Sequence, residues 1–288
     1  MVNEIITEKF KSDILQNERD IYILLPPGYH ASEAKYPVLY MNDGQNIFST
    51  VGNWHKKWNV DIVMQRLYEE RAVPEMIVVG ITHLCKREYE FTPTYDALVE
   101  NGGGSQKYLQ FITDELKPFL EKKYRILGDR LNTAIMGSSL GGILTLEAAR
   151  TRFDAFSKFG ALSSSFWWDF GIMLEYARNW NMAASKDVKL WIDMGLQEGG
   201  GSYLIDDTLK EIYNPVNFCR VFVNILMKKG YSLNENLKYV EDPNGIHDEI
   251  CWGRRFYDIM KFLFASSSSS VFEKKEDKPK EEKKEDKK

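Results

Sequence analysis

Cysteine and histidine are scarce in this chain, with three and four among 288 residues. Cys85, Cys219 and Cys251 are an odd number without paired spacing. That argues against a disulfide framework and for buried, reduced thiols. With so few histidines and no close cluster of His, Cys and acid, no metal site is expected. No apolar run approaches the roughly 18 residues of a membrane span. The opening MVNEIITEKFKSD is mixed and charged. It lacks the apolar stretch of an export signal, so the expected location is the cytoplasm. A formal net charge of −4 is too small to point to nucleic acid or a membrane surface as partner.

Apolar residues are plentiful: 43% of the chain is hydrophobic and 13% aromatic, enough for one large core. The C-terminus differs in kind. Residues 266–270 are all serine, and Glu273 to Lys288 holds 8 Lys and 7 acids in 16 residues. Such a segment buries too little apolar area to offset its ordering entropy. The expectation is one domain over 1–265 and a disordered tail over 266–288.

Along the body, strand and helix patterns alternate. Apolar runs at Tyr36 to Met41 and Met76 to Ile81 read as buried strands, and Leu131 to Met136, Phe159 to Leu162, Val188 to Met194 and the short Leu237 to Val240 as further strands. Helical patterns lie at Val60 to Arg71, Ser105 to Lys123 with Ser105 as N-cap, Leu140 to Arg150, Tyr203 to Lys229 with an interruption near Pro215, and Glu249 to Phe264. Two earlier segments, Glu4 to Ile14 and Arg19 to Leu25, read as antiparallel strands. Together they predict an α/β protein with a mainly parallel central sheet and helices on both faces.

One junction carries chemistry. Gly137-Ser138-Ser139-Leu140-Gly141 fits G-x-S-x-G between a strand and a helix. In this elbow the central serine sits on a sharp, strained turn with its hydroxyl exposed, and the flanking glycines let strand and helix pass closely. Ser139 is therefore the candidate nucleophile. In the α/β-hydrolase order the acid and then the histidine follow the serine. His30, His55 and His83 precede Ser139, which leaves His247, in a turn-rich loop after the last strand, as candidate base. Thirteen Asp or Glu residues lie between Ser139 and His247. Glu198, just past a strand end, is the first choice for the acid, with Asp193 and Asp207 as alternates. The expected oxyanion donors are the backbone N–H groups of Leu140 and of Gln45, in the loop Asn42-Asp43-Gly44-Gln45-Asn46. Trp167 and Trp168, after a strand end, are candidate walls of a substrate pocket, with core packing as the alternative. Arg87, Glu88 and Glu90, after the Met76 to Ile81 strand, are expected to form an ordinary surface ion-pair group, with contact to a polar substrate as the alternative.

Several stretches together resemble the esterase D / enterochelin-esterase-like group of α/β-hydrolases, which also includes feruloyl esterases and mycolyltransferases. They are Leu25-Pro26-Pro27-Gly28-Tyr29, YPVLYMNDGQNIF (36–48), ELKPFLEKKYRI (115–126), IMGSSLGG (135–142), LSSSFWW (162–168) and GIHDEICWGRRFYDIMKFLF (245–264). The resemblance spans roughly residues 4–265. It implies an α/β-hydrolase fold and catalytic roles for Ser139 and His247. It also implies an acid in the turn Gly195-Leu196-Gln197-Glu198, which has Leu196 where a small polar residue is frequent. The implied activity is cofactor-free serine carboxylic-ester hydrolysis of a small-molecule or sugar-linked ester. The alternatives are acyl transfer by the same residues and an idle binding module on the same fold. The sequence does not specify an oligomeric state.

Overall fold

The structure is a computed structural model that describes residues 4–181, 187–199 and 214–264. The serine-rich and Lys/Glu-rich tail, and the first part of the helix expected from Tyr203, lie outside the described residues.

The chain opens with an antiparallel hairpin of β1 (Glu4–Ser12) and β2 (Asn17–Leu25). It continues through β3 (Val38–Asn42), α1 (Val60–Glu69), β4 (Ile77–Ile81) and α2 (Arg87–Phe91). A two-residue ladder, β5 (Tyr95–Asp96) with β6 (Asn101–Gly102), leads into α3 (Ser105–Gln110) and α4 (Lys117–Lys123). Then come β7 (Thr133–Ser138), α5 (Leu140–Thr151), β8 (Lys158–Leu162), α6 (Ile172–Arg178), β9 (Lys189–Gly195), α7 (Pro215–Lys228), β10 (Leu237–Asp242) and α8 (Glu249–Phe264).

Eight strands form one sheet in the order β1-β2-β4-β3-β7-β8-β9-β10. β2 runs antiparallel to β1 and β4, and β4 through β10 in that order are joined by parallel pairings. Alternation along each central strand divides the core. Val38 and Tyr40 of β3 join Tyr108, Leu109, Ile143 and Phe222 on one face. Leu39 and Met41 join Met64 and Leu67 of α1 and Phe256 and Ile259 of α8 on the other. The chain leaves β3 toward β4 on one side and returns through β7 on the other. The switch of direction in the sheet therefore falls between β3 and β7, where a doubly covered sheet opens a crevice at its carboxyl edge.

Some local expectations are corrected. Ser105 is the first helical residue and Gly104 is the N-cap. Between α3 and α4 the helix widens to a π turn over Phe111–Leu116, in which the Lys117 N–H reaches Ile112 O. Pro118, one residue later, has no N–H to give. Cys85 is exposed, whereas Cys219 and Cys251 are buried, and burial pushes the Cys219 thiol well up.

The group Arg87, Glu88 and Glu90 is not a surface cluster. Glu90 is buried against the equally buried Arg19, with Nη2 to Oε1 at 2.7 Å and Nη1 to Oε2 at 3.1 Å. It ties α2 to the antiparallel edge of the sheet. Removing one partner of such a pair leaves an uncompensated charge. Glu90→Ala is therefore expected to lose about 3–5 kcal/mol of stability, by the scale of broken buried pairs. A lowered urea midpoint with an unchanged slope would register it.

Candidate active site

The carboxyl ends of six parallel strands each deliver a residue to one region. Asp43 follows β3, His83 lies two residues past β4, Ser139 follows β7, Ser163 follows β8, Glu198 lies three past β9 and His247 five past β10.

Ser139 caps α5 with φ 60° and ψ −123°, a backbone conformation costly for a residue with a Cβ. The neighbouring glycines permit it. A Cβ on Gly137 would stand 2.7 Å from the Gly141 carbonyl oxygen, and one on Gly142 would stand 2.5 Å from Ser164 Oγ. The elbow closes only because these side chains are missing. The hydroxyl of Ser139 lies 3.2 Å from Ser165 Oγ. Leu140 opens α5, so its N–H is among the first-turn donors that a helix cannot use internally.

His247 and Ser139 line the same cavity, of about 430 Å³. The His247 side chain is 45% exposed, and its Nδ1 lies 2.9 Å from Glu198 Oε2. Facing a carboxylate, that nitrogen carries the proton and donates, which leaves Nε2 with its lone pair free. The ring also stands edge-on to Trp252, with centroids 5.0 Å apart.

Two loops hold this pair. Leu196 N–H donates to Asp242 O at 2.9 Å, and Gln197 N–H to Gly245 O at 3.0 Å. The loops touch backbone to backbone: a Cβ on Gly195 would lie 2.4 Å from Gly245 O. The turn before Glu198 and the turn before His247 thus fix each other.

Of the alternative acids, Asp193 lies fully buried inside β9. Its carboxylate accepts from Arg255 Nη2 at 2.9 Å and Trp191 Nε1 at 2.8 Å. Burial pushes it up to about 6, against the pull of Arg255 and Trp191. It serves the core rather than His247. Asp207 lies outside the described residues.

Gln45 sits in the turn Gly44–Asn46 after β3 and lines the cavity, and its Oε1 accepts the His83 N–H at 3.2 Å. Gly44 is obligatory there, since a Cβ would stand 2.6 Å from the Gly80 carbonyl carbon. Asp43, at φ 60°, receives both arms of Arg87, with Nε to Oδ1 at 2.7 Å and Nη2 to Oδ2 at 2.8 Å. This fork docks α2 onto the turn and puts Arg87 in the cavity wall.

Trp168 is core rather than a cavity wall. It is 0% exposed, with its Nε1 bonded to Thr94 O at 3.0 Å. The β5–β6 ladder, unseen in the sequence, supplies that cover. Trp167 is half-buried and lines a second cavity of about 270 Å³, together with Ser165, Glu198 and His247.

Sequence reasoning missed part of the cavity that Ser139 and His247 line. Trp54, His55 and Lys56, from the loop between β3 and α1, and His83 line it. In the sequence, chain order alone argues against His55 and His83. The position of His83 just after a buried strand was the available signal; nothing comparable marked Trp54. Lys56 pairs with Asp248. Although burial raises the Asp248 carboxyl, the Lys56 and Ile250 N–H bonds carry it below its ordinary value.

This sheet, with its serine elbow and the histidine loop beside it, is the α/β-hydrolase architecture. Solved structures share it. A ferulic acid esterase superposes with a TM-score of 0.69 at 22% identity, covering 92% of this chain and 99% of that one. An IroE-like serine hydrolase from Shewanella oneidensis gives 0.70 at 24% identity, covering 91% and 80%. Residues 12–263 match the Esterase family, described as "Putative esterase", and the chain belongs to that family. It is a carboxylic ester hydrolase of the serine type. Among curated relatives, the ferri-bacillibactin esterase BesA of Bacillus subtilis (strain 168) is 26% identical over 219 residues, covering 69% of this chain and 73% of the relative. Among the described residues no helix is long and apolar enough to cross a membrane, and no cluster of three potential metal ligands occurs.

Proposed function

We propose that the ester bond is cleaved through an acyl-enzyme on Ser139, with His247 as general base and Glu198 as its acid partner. The reading rests on one arrangement: a serine on a strained elbow and a histidine oriented by a buried carboxylate share one cavity. His247 Nε2 takes the Ser139 proton as Oγ attacks the ester carbonyl. The carbonyl oxygen, now negative, is held by the N–H groups of Leu140 and Gln45. The tetrahedral species collapses, and the alcohol leaves with the proton from His247. A water activated by the same imidazole then releases the acid. Glu198 keeps its charge throughout and stabilises the imidazolium. The chemistry needs no cofactor.

The exposed edge of His247 gives water a route to the acyl-enzyme, as hydrolysis requires. The substrate is a small-molecule or glycoconjugate ester. Most residues in the wall of the Ser139 cavity are polar or charged, and Trp54, 44% exposed, also lines an adjoining cavity of about 750 Å³ with Arg19, Thr82 and His83. It offers a flat face to an aromatic or sugar ring. Trp54→Ala is expected to raise KM about 5- to 10-fold at nearly constant kcat, as for lost uniform binding. The names of the relatives make ferri-bacillibactin-type and ferulic acid esters the first to assay. Product analysis with and without an added alcohol tests the reading: free acid in both supports hydrolysis, and a new ester as main product contradicts it.

A further inference from the structure

The serine run at 163–165 begins with a residue under strain. Ser163, the first residue past β8, has φ 44°, in the left-handed region that disfavours a side chain, and it is only 1% exposed. In a regular strand its side chain would lie opposite that of Leu162, which packs on the α8 face of the sheet. Instead Ser163 Oγ also meets α8: Trp252 Nε1 lies at 2.9 Å and Arg255 Nη2 at 2.9 Å. The positive φ breaks the alternation and turns the hydroxyl toward α8.

Those two partners determine where the hydroxyl proton goes. An indole N–H and a guanidinium can only donate, and together they fill both acceptor positions of Oγ. The O–H must then donate to the remaining neighbour, Glu198 Oε1, at 2.5 Å. Gly195 N–H donates to the same oxygen at 2.8 Å. One oxygen of Glu198 is thus fixed by two donors, and the other is left to His247. Arg255 is itself held by Asp193 and Asp242.

We propose that Ser163 is a positioning residue, whose hydroxyl, oriented by Trp252 and Arg255, locks the Glu198 carboxylate so that one oxygen stays aimed at His247. The proposal rests on the reading of Glu198 as acid partner. It explains why a strained, buried serine stands where glycine would be easier.

Ser163→Gly is the clean variant, because glycine accepts the backbone conformation and a thermal melt checks that the fold is kept. Loss of one hydrogen bond to a charged group predicts a fall in kcat of about 10- to 100-fold. KM should stay within about twofold, since the hydroxyl acts on the acid and not on substrate. Ser163→Ala serves as a second variant lacking the hydroxyl. In a Glu198→Ala background, Ser163→Gly should have no further effect on kcat. Wild-type kcat in a folded Ser163→Gly, or an undiminished loss in the Glu198→Ala background, overturns the proposal while leaving the triad intact. Wild-type kcat in Glu198→Ala overturns the reading of the acid and the proposal with it.

Discussion

Ser139→Ala is expected to lose about 10³-fold or more of ester turnover, by the scale of deleted triad members, while folding as the wild type does. The size follows from the chemistry. Without Oγ there is no acyl-enzyme, and the histidine has no positioned nucleophile to activate. The residual rate would come from the oxyanion donors and binding acting on water. The fold should survive because the deleted atom makes one 3.2 Å contact, to Ser165 Oγ. Alanine at φ 60° carries the same backbone strain as serine. Steady-state assays on an aryl ester with a matched melting curve check both halves. KM should move little, because the deleted oxygen acts mainly in the transition state.

Glu198→Gln is expected to lose about 10³- to 10⁴-fold in kcat, the scale of a misaligned imidazole tautomer. The surroundings of Glu198 decide which way the amide points. Oε1 accepts from Gly195 N–H and from Ser163 Oγ. A glutamine must keep its carbonyl oxygen there, because an NH₂ would face two donors. The NH₂ group then faces His247 Nδ1. That nitrogen must accept, which moves the imidazole proton to Nε2, where a lone pair is needed for the Ser139 proton. Glu198→Ala removes the carboxylate without imposing the wrong tautomer, so it should be the milder lesion. A glutamine variant more active than the alanine variant would show that the hydrogen bonds around Oε1 do not set the orientation.

The sequence made much of this legible, for identifiable reasons. The central strands β3 and β4 are near-continuous apolar runs, buried throughout and bounded by turn residues, and burial on both faces leaves little else such a run can become. The serine elbow has a spacing fixed by backbone approach, now visible as the Gly137–Gly141 contact. Glu198 and His247 were reachable because each follows a strand and chain order limits the choice. What escaped was short or long-range. α2 and the β5–β6 ladder are too brief for periodicity, so the burial of Glu90 within α2 and of Trp168 against the ladder is not legible in the sequence. Arg87 meets Asp43 across 44 positions, a pairing that no local pattern encodes. In the sequence Ser163 is one of three consecutive serines, and only its backbone angle and its three side-chain partners set it apart.

Labelling by a fluorophosphonate tests the central claim most directly, because the probe reports a nucleophile activated by a neighbouring base. Peptide mapping of the labelled wild type should place the adduct on Ser139, and His247→Ala should slow its formation by about 10²-fold or more, the contribution of a positioned general base. An adduct on another residue, or formation at the wild-type rate without His247, would contradict the account.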